Sequence, residues 1–223
     1  MKKFAADKTR KLIILAVVLI LMIVLPVVLK LKLSTMSILI TVLLYMYWAS
    51  AWNIMGGYTG LFSLGNGIYI GLGAYITACL FVYGGITPYI GIPIAGILTG
   101  LFSVALAFPT FRLQSVFYSL ATSALVKVMQ IIFMNFPNIF GLYLGGSEGF
   151  KIRAANDPAN MQFASKYPYY YIILFMLVLV LLVSYYLSVT KSGFYFRAIS
   201  ANAEAASSLG VSVFNMKVRA QFI

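Results

Sequence analysis

The sequence predicts an all-α fold, a polytopic transmembrane helical bundle, and three observations predict it. The 223 residues are 62% hydrophobic and only 9% charged, whereas a soluble domain carries about 25% charged residues. The apolar residues gather into runs of the length, about 20 residues, that crosses a bilayer. Lysine and arginine lie between or at the ends of those runs, Lys127 excepted.

The elements follow in chain order. The run from Leu12 to Leu29 comes after a basic head, Met1-Lys2-Lys3 and Lys8-Thr9-Arg10-Lys11. It is too long for a signal-peptide core, and Lys30-Leu31-Lys32 stands where small residues would mark cleavage. It therefore reads as a retained span. Six complete spans are expected, at 12–29, 34–55, 66–83, 91–108, 113–135 and 168–190. A seventh begins near Val218 and is cut off at Ile223, so the single transmembrane domain over 1–223 is expected to be C-terminally incomplete. Two polar connections remain: a loop at 136–167 and a segment at 191–214.

Between the second and third spans lies Gly56-Gly57-Tyr58-Thr59-Gly60-Leu61-Phe62-Ser63-Leu64-Gly65-Asn66-Gly67, which predicts a broken helix near 56–67. Unpaired backbone groups are costly in lipid, so such a break survives only inside protein or beside water. Transporters use breaks of this kind to aim helix ends and carbonyls at a solute. A glycine-rich turn between two spans is the competing reading.

The basic residues set the orientation. With the N-terminus in the cytoplasm, the inner side holds Lys2, Lys3, Lys8, Arg10, Lys11, Arg112, Lys191, Arg197, Lys217 and Arg219. The outer side holds Lys30, Lys32, Lys151, Arg153 and Lys166. Ten against five favours this direction. It makes 136–167 external and 191–214 cytoplasmic. Tyr167, Tyr169, Tyr170 and Tyr171 then fall at the outer interface, where amphipathic rings sit.

Much chemistry is excluded. With no histidine, one cysteine (Cys79) and four acids (Asp7, Glu148, Asp157, Glu204), no metal site and no Ser-His-Asp triad is expected. The net charge of +12 is spread between spans, which fits topology and not a nucleic acid. No Gly-x-x-x-x-Gly-Lys-Ser/Thr phosphate loop is present. Lys127 stands inside the fifth span, where an ammonium is costly and a functional hypothesis by default. It has three open fates: a water-filled path, a carbonyl partner, or snorkelling. A Ser63–Lys127 dyad has no oxyanion motif to support it. Gly67-Ile68-Tyr69-Ile70-Gly71 and Gly96-Ile97-Leu98-Thr99-Gly100 fit close helix packing. The alanine-rich segment at 191–214 predicts a helix capped by Ser192 and ended by Gly210, with Ile199, Ala203, Ala206 and Gly210 at helical spacing.

Three stretches together resemble a known family. Gly57-Tyr58-Thr59-Gly60, Ser63-Leu64-Gly65 and Gly71-Leu72-Gly73-Ala74-Tyr75 are similar to a Gly-Tyr-x-Gly-Gln-x-Ser-Leu-Gly-His…Gly-x-Gly-Ala-Tyr signature. Gly145-Gly146-Ser147-Glu148-Gly149 resembles an external Gly-Gly-Ser-Asp-Gly motif. Gly193, Arg197-Ala198-Ile199, Glu204-Ala205-Ala206 and Leu209-Gly210 resemble a cytoplasmic coupling loop. The family is the permease subunit of ATP-driven importers for branched-chain amino acids, specifically the M-type partner, and the likeness runs from about residue 45 to the end.

The resemblance implies a multi-pass permease in the inner or plasma membrane and no enzyme. The expected assembly adds a second permease, two ATP-binding cassette subunits and a soluble solute-binding protein. ATP is used by those partners and no cofactor is bound by this chain. The solute path is expected at Gly60, Ser63, Gly65, Asn66 and Lys127. The ATPase contact is expected at Arg197, Ala198, Glu204, Ala205, Ala206 and Gly210. Leu61, Asn66, Lys127, Phe194 and Ser200-Ala201 depart from the family pattern, which leaves urea, short amides, simple sugars and nucleosides as alternative solutes. A passive channel and an intramembrane enzyme are the readings from other classes.

Overall fold

The computed structural model describes residues 17–26, 28, 32–113, 115–139, 141–152 and 156–223. Asp7, Lys2, Lys3, Lys8, Arg10, Lys11, Lys30 and Arg153, used in the charge readings above, lie outside the described residues. The helices are α1 (Val17–Pro26), α2 (Leu33–Asn53), α3 (Asn66–Val82), α4 (Pro88–Thr110), α5 (Ser115–Asn135), α6 (Tyr167–Val189), α7 (Lys191–Ala201), α8 (Ala203–Ser208) and α9 (Val213–Phe222). The fold is helical as expected. The one strand pair among the described residues is a two-residue ladder in the 136–167 loop, Asn138 opposite Tyr143 and Ile139 opposite Leu142.

Among the described residues, four helices are long and apolar enough to cross a membrane: Leu33–Tyr58, Pro88–Thr110, Val116–Asn135 and Tyr167–Val189. They match four of the six expected spans. Of the span expected at 12–29, the described helix is Val17–Pro26. The span expected at 66–83 is α3, whose 17 residues reach about 25 Å at 1.5 Å per residue. The seventh span expected from Val218 starts earlier, at Val213, and carries Asn215, Lys217 and Arg219 in its ten residues. Ser212 at the N-cap, with extended backbone, sets that start.

The chain divides into two compact units, 1–47 with 164–179, and 48–163 with 180–223. In the first, Pro26, Met36, Leu43, Tyr170, Leu174 and Leu177 are buried. The Tyr170 hydroxyl donates to the Met22 carbonyl at 2.7 Å and that of Tyr171 to Ile23 at 3.2 Å. Lys166 Nζ donates to the Leu33 carbonyl and to Ser37 Oγ. The tyrosine run thus holds a neighbouring helix as well as any interface.

In the second unit α3 and α4 run antiparallel, with Thr77 over Gly91 and Gly73 against Thr99. The buried stripe of α4 is Gly91, Ala95, Thr99, Ser103 and Ala107, a small residue at every fourth position. Small residues let helix backbones approach closely, which is how membrane helices pack without a hydrophobic driving force. The expected small-residue motifs are half used. Gly67 meets Val126 and Gly100 meets the Phe222 ring, while Gly71 and Gly96 face open space. Helix α9 lies antiparallel along α4: Phe214 packs on Phe108 and Phe111, and Phe222 reaches Gly100. Gln221 ties it further, donating from Nε2 to the Tyr69 hydroxyl at 2.7 Å and accepting from Tyr118 at 3.4 Å.

The corner from α6 into α7 depends on Gly193. A Cβ there would stand 1.7 Å from the Leu187 carbonyl oxygen. Arg197 fastens the same corner, donating to the Ser188 carbonyl at 2.8 Å and the Gly193 carbonyl at 3.3 Å. Gly193→Ala should therefore lower stability by about 1–3 kcal/mol, the usual cost of overpacking. Gly96→Ala, whose Cβ meets nothing, should leave stability unchanged. Thermal unfolding of the two variants in detergent checks this; equal melting temperatures would exclude the tight corner.

Candidate functional site

The glycine-rich run folds as a π-helical turn, Ile54–Tyr58, continuing α2. An irregular stretch over 60–65 follows, and α3 then starts at Asn66. The break is thus shorter than 56–67, because Asn66 and Gly67 are already helical. It reverses the chain: Phe62 packs edge-on against Trp52, with ring centroids 5.0 Å apart. It also sits within the bundle. Its partners Ser119 and Thr122 lie four and seven residues into α5, a depth of about 6–10 Å along that helix.

Four backbone groups of this loop are bonded by side chains. Trp52 Nε1 donates to the Ser63 carbonyl at 2.7 Å. Ser119 Oγ donates to the Phe62 carbonyl at 2.5 Å. Thr122 Oγ1 accepts from Leu64 N at 3.1 Å, and Ser63 Oγ accepts from Gly65 N at 3.2 Å. The turn before it is held by Thr59 Oγ1 donating to the Met55 carbonyl at 2.6 Å and by the Tyr58 hydroxyl on Ser184.

The expected path residues separate into different roles. Ser63 is buried, and its hydroxyl is engaged inside the loop. Gly65 is buried, and a Cβ on it would press on Thr122 at 3.2 Å. Gly60 has φ +72, and a Cβ on it would stand 2.7 Å from Ser200 Oγ of α7. Asn66 is half-buried at the head of α3. Its side-chain amide makes no hydrogen bond to any described residue. Lys127 is on an exposed side of α5 and makes no bond to the loop; its Nζ donates to Gln130 Oε1 at 3.3 Å. The structure therefore brings Gly60, Ser63, Gly65 and Asn66 together but not Lys127. The Ser63–Lys127 dyad has no contact to support it. Residues that the sequence reading missed are Trp52, Ser119 and Thr122. They sit inside apolar helices, and only contact with the loop gives them a role.

The segment expected as one helix from Ser192 to Gly210 is two helices. Thr190, not Ser192, is the N-cap of α7, and Ser192 lies within the first turn. Asn202 breaks the run with extended backbone (φ −160, ψ 109) and caps α8 by accepting from Ala205 N at 3.0 Å. Gly210 ends α8 as expected. At φ +85 it donates to the Ser207 carbonyl, while Val211 N donates to Ala206, a Schellman closure. Gly193, Phe196, Ile199 and Ala206 turn inward. Arg197, Ala198, Glu204, Ala205, Leu209 and Gly210 are exposed, Leu209 at 85%. Ile199 and Ala206 are thus part of this chain's own packing.

The family profile for the "Branched-chain amino acid transport system / permease component" matches residues 34–223. The chain belongs to this permease family. It is a multi-pass membrane protein of a family of transport permeases. Among curated proteins it is 29% identical over 107 residues to the "High-affinity branched-chain amino acid transport system permease protein LivM" of Escherichia coli (strain K12), which is 48% of this chain and 25% of that protein. It is 28% identical over 99 residues to the protein of the same name from Salmonella typhimurium, 44% of this chain and 23% of that one. The matched stretch thus spans about a quarter of the length of these relatives. No solved structure matches the chain.

The loop's side-chain partners give a direct check. Trp52→Phe keeps the ring but strips the donor from the Ser63 carbonyl, and an unsatisfied buried acceptor costs about 1–3 kcal/mol. Its melting temperature in detergent should fall. A wild-type melting temperature would show that the indole bond does not hold the loop.

Proposed function

We propose that this chain is the permease subunit of an ATP-driven importer and forms part of the translocation path for branched-chain or related amino acids. Membership of the permease family over residues 34–223 carries this reading. The names of the two relatives support the solute class. The spans at 12–29 and 66–83 complete a set of six around the four long helices, with the N-terminus and α7–α8 in the cytoplasm. A second permease pairs with this one, two ATP-binding cassette subunits dock below, and a soluble binding protein delivers solute above. ATP hydrolysis belongs to those subunits, since this chain has no phosphate-loop motif.

The mechanism is alternating access, and the break and α7 supply its parts. ATP-driven closure of the cassettes moves α7–α8. Gly60 rests directly on Ser200, so that motion reaches the loop over 60–65, which is bonded in turn to α5. Asn66 offers its unengaged amide to a polar solute, and Ser63 shapes the loop that presents it. Exposed Arg197, Ala198, Glu204, Ala205, Leu209 and Gly210 form the cassette contact, and Ala206 supports it from beneath.

Three experiments test the reading. Cysteines placed at Ser208 and Ser147 in a Cys79→Ser background should label from opposite sides of the membrane. Labelling of both from outside intact cells would overturn the topology. Ala205→Arg should abolish cassette association and transport while insertion continues, because it fills an exposed contact and leaves the inward face alone; normal transport would move the contact elsewhere. In proteoliposomes holding the whole assembly, ATP-dependent leucine uptake is expected. Asn66→Ala should cut flux severalfold with basal ATP hydrolysis retained, whereas Ser63→Ala should also lower stability. No uptake of any branched-chain amino acid would overturn the solute assignment.

A further inference from the structure

We propose that Lys127 and Gln130 form a carboxylate-binding point on the path face of α5, so that an amino-acid solute is held there by its anionic end. This rests on the import reading above and names the solute group that the path engages.

Four observations carry it. First, Lys127 stands twelve residues from the start of α5 and eight from its end, about 18 and 12 Å of helix. Helix side chains lean toward the helix N-terminus, so the nearer end lies against the lean. Neither polar boundary is within easy reach of a four-carbon stem. Second, the side chain is exposed. An intramembrane charge does not face hydrocarbon; it faces water or a partner. Third, Ser119, Ser123, Lys127 and Gln130 recur at three- and four-residue spacing, which places them along one side of the helix. The four polar side chains form a stripe through the middle of the span, beside the exposed Leu120 and Ile131. Fourth, the ammonium has no described acid within ion-pair distance. Glu148 is paired with Lys151, Asp157 bonds Ala159 N and Asn160, and Glu204 is in α8.

The chemistry selects the ligand. Lys127 Nζ has three donors, and one is given to Gln130 Oε1. That bond orients the ammonium and leaves two donors free. The Gln130 amide NH₂ adds a neutral donor one turn away. Two converging donors, one of them charged, suit a carboxylate. A cationic solute is repelled, and a neutral one gains nothing from the charge. The zwitterionic amino acids of the import reading carry the anionic group this point needs.

The test uses the complete assembly in proteoliposomes, with Cys79→Ser and Ser123→Cys, one turn from the ammonium. The probes are an anionic sulfonatoethyl and a cationic trimethylammonioethyl thiosulfonate. The anionic reagent should label about tenfold faster than the cationic one, a ratio in the range that local charge produces. Lys127→Gln should remove most of that preference and Lys127→Arg should keep it. Leucine should slow the anionic reagent, and leucinamide, which lacks the carboxylate, should not. Labelling by neither reagent would overturn the proposal, because the face would then meet lipid or an acidic partner side chain. A charge preference unmoved by Lys127→Gln, or equal protection by leucinamide, would also overturn it. Leucine uptake by the parent assembly reports separately on the import reading. Uptake without the charge preference sinks the carboxylate point alone; the preference without uptake sinks the import assignment alone.

Discussion

A backbone that stops being helical inside a membrane must find new partners for the polar groups it strands, since no water is present to take them. The loop over 60–65 meets part of that requirement with side chains from two neighbours. Trp52 comes from α2, and Ser119 and Thr122 come from α5. These bonds fix where α5 stands against the loop and where α3 begins. The packing of α3 on α4 and of α9 along α4 extends from that placement. In water the same loop would be served by solvent. Here its three partners must be built into the sequence.

Much of this is legible in the sequence. Composition and run length gave the helical membrane class, and four long helices fall where the apolar runs predict them. The break was legible because glycine clusters are rare inside apolar segments. Its extent was not, because Asn66 and Gly67 carry no mark that separates a loop from the first turn of a helix. Trp52, Ser119 and Thr122 were not legible as loop partners, since a hydroxyl in a span reads equally as a bond to its own helix. The kink at Asn202 was missed for a related reason. Alanine-rich composition argues for continuity, and one asparagine gives a stop only when its side chain caps the next helix.

The segment at 191–214 shows how helical spacing misleads. Ile199, Ala203, Ala206 and Gly210 recur at intervals that suggest a face for a partner. The structure gives Ile199 and Ala206 to the chain's own packing and leaves Ala198, Ala205 and Leu209 outside. Periodicity identifies a face, and only the tertiary contacts say which side is already taken. The α4 stripe carries a similar lesson. The sequence reading picked Gly96 and Gly100 on this helix, whereas the structure buries Gly91, Ala95, Thr99, Ser103 and Ala107.

Gly60 limits how this sequence can drift. Two separate prohibitions coincide there: a φ of +72, and Ser200 Oγ within 2.7 Å of any Cβ. Trimming Ser200 to alanine or glycine lifts only the second, because the dihedral still refuses an ordinary side chain. Substitution at 200 therefore never unlocks 60, whereas a residue at 60 would at once bear on 200. Position 60 is thus held to glycine whatever stands at 200.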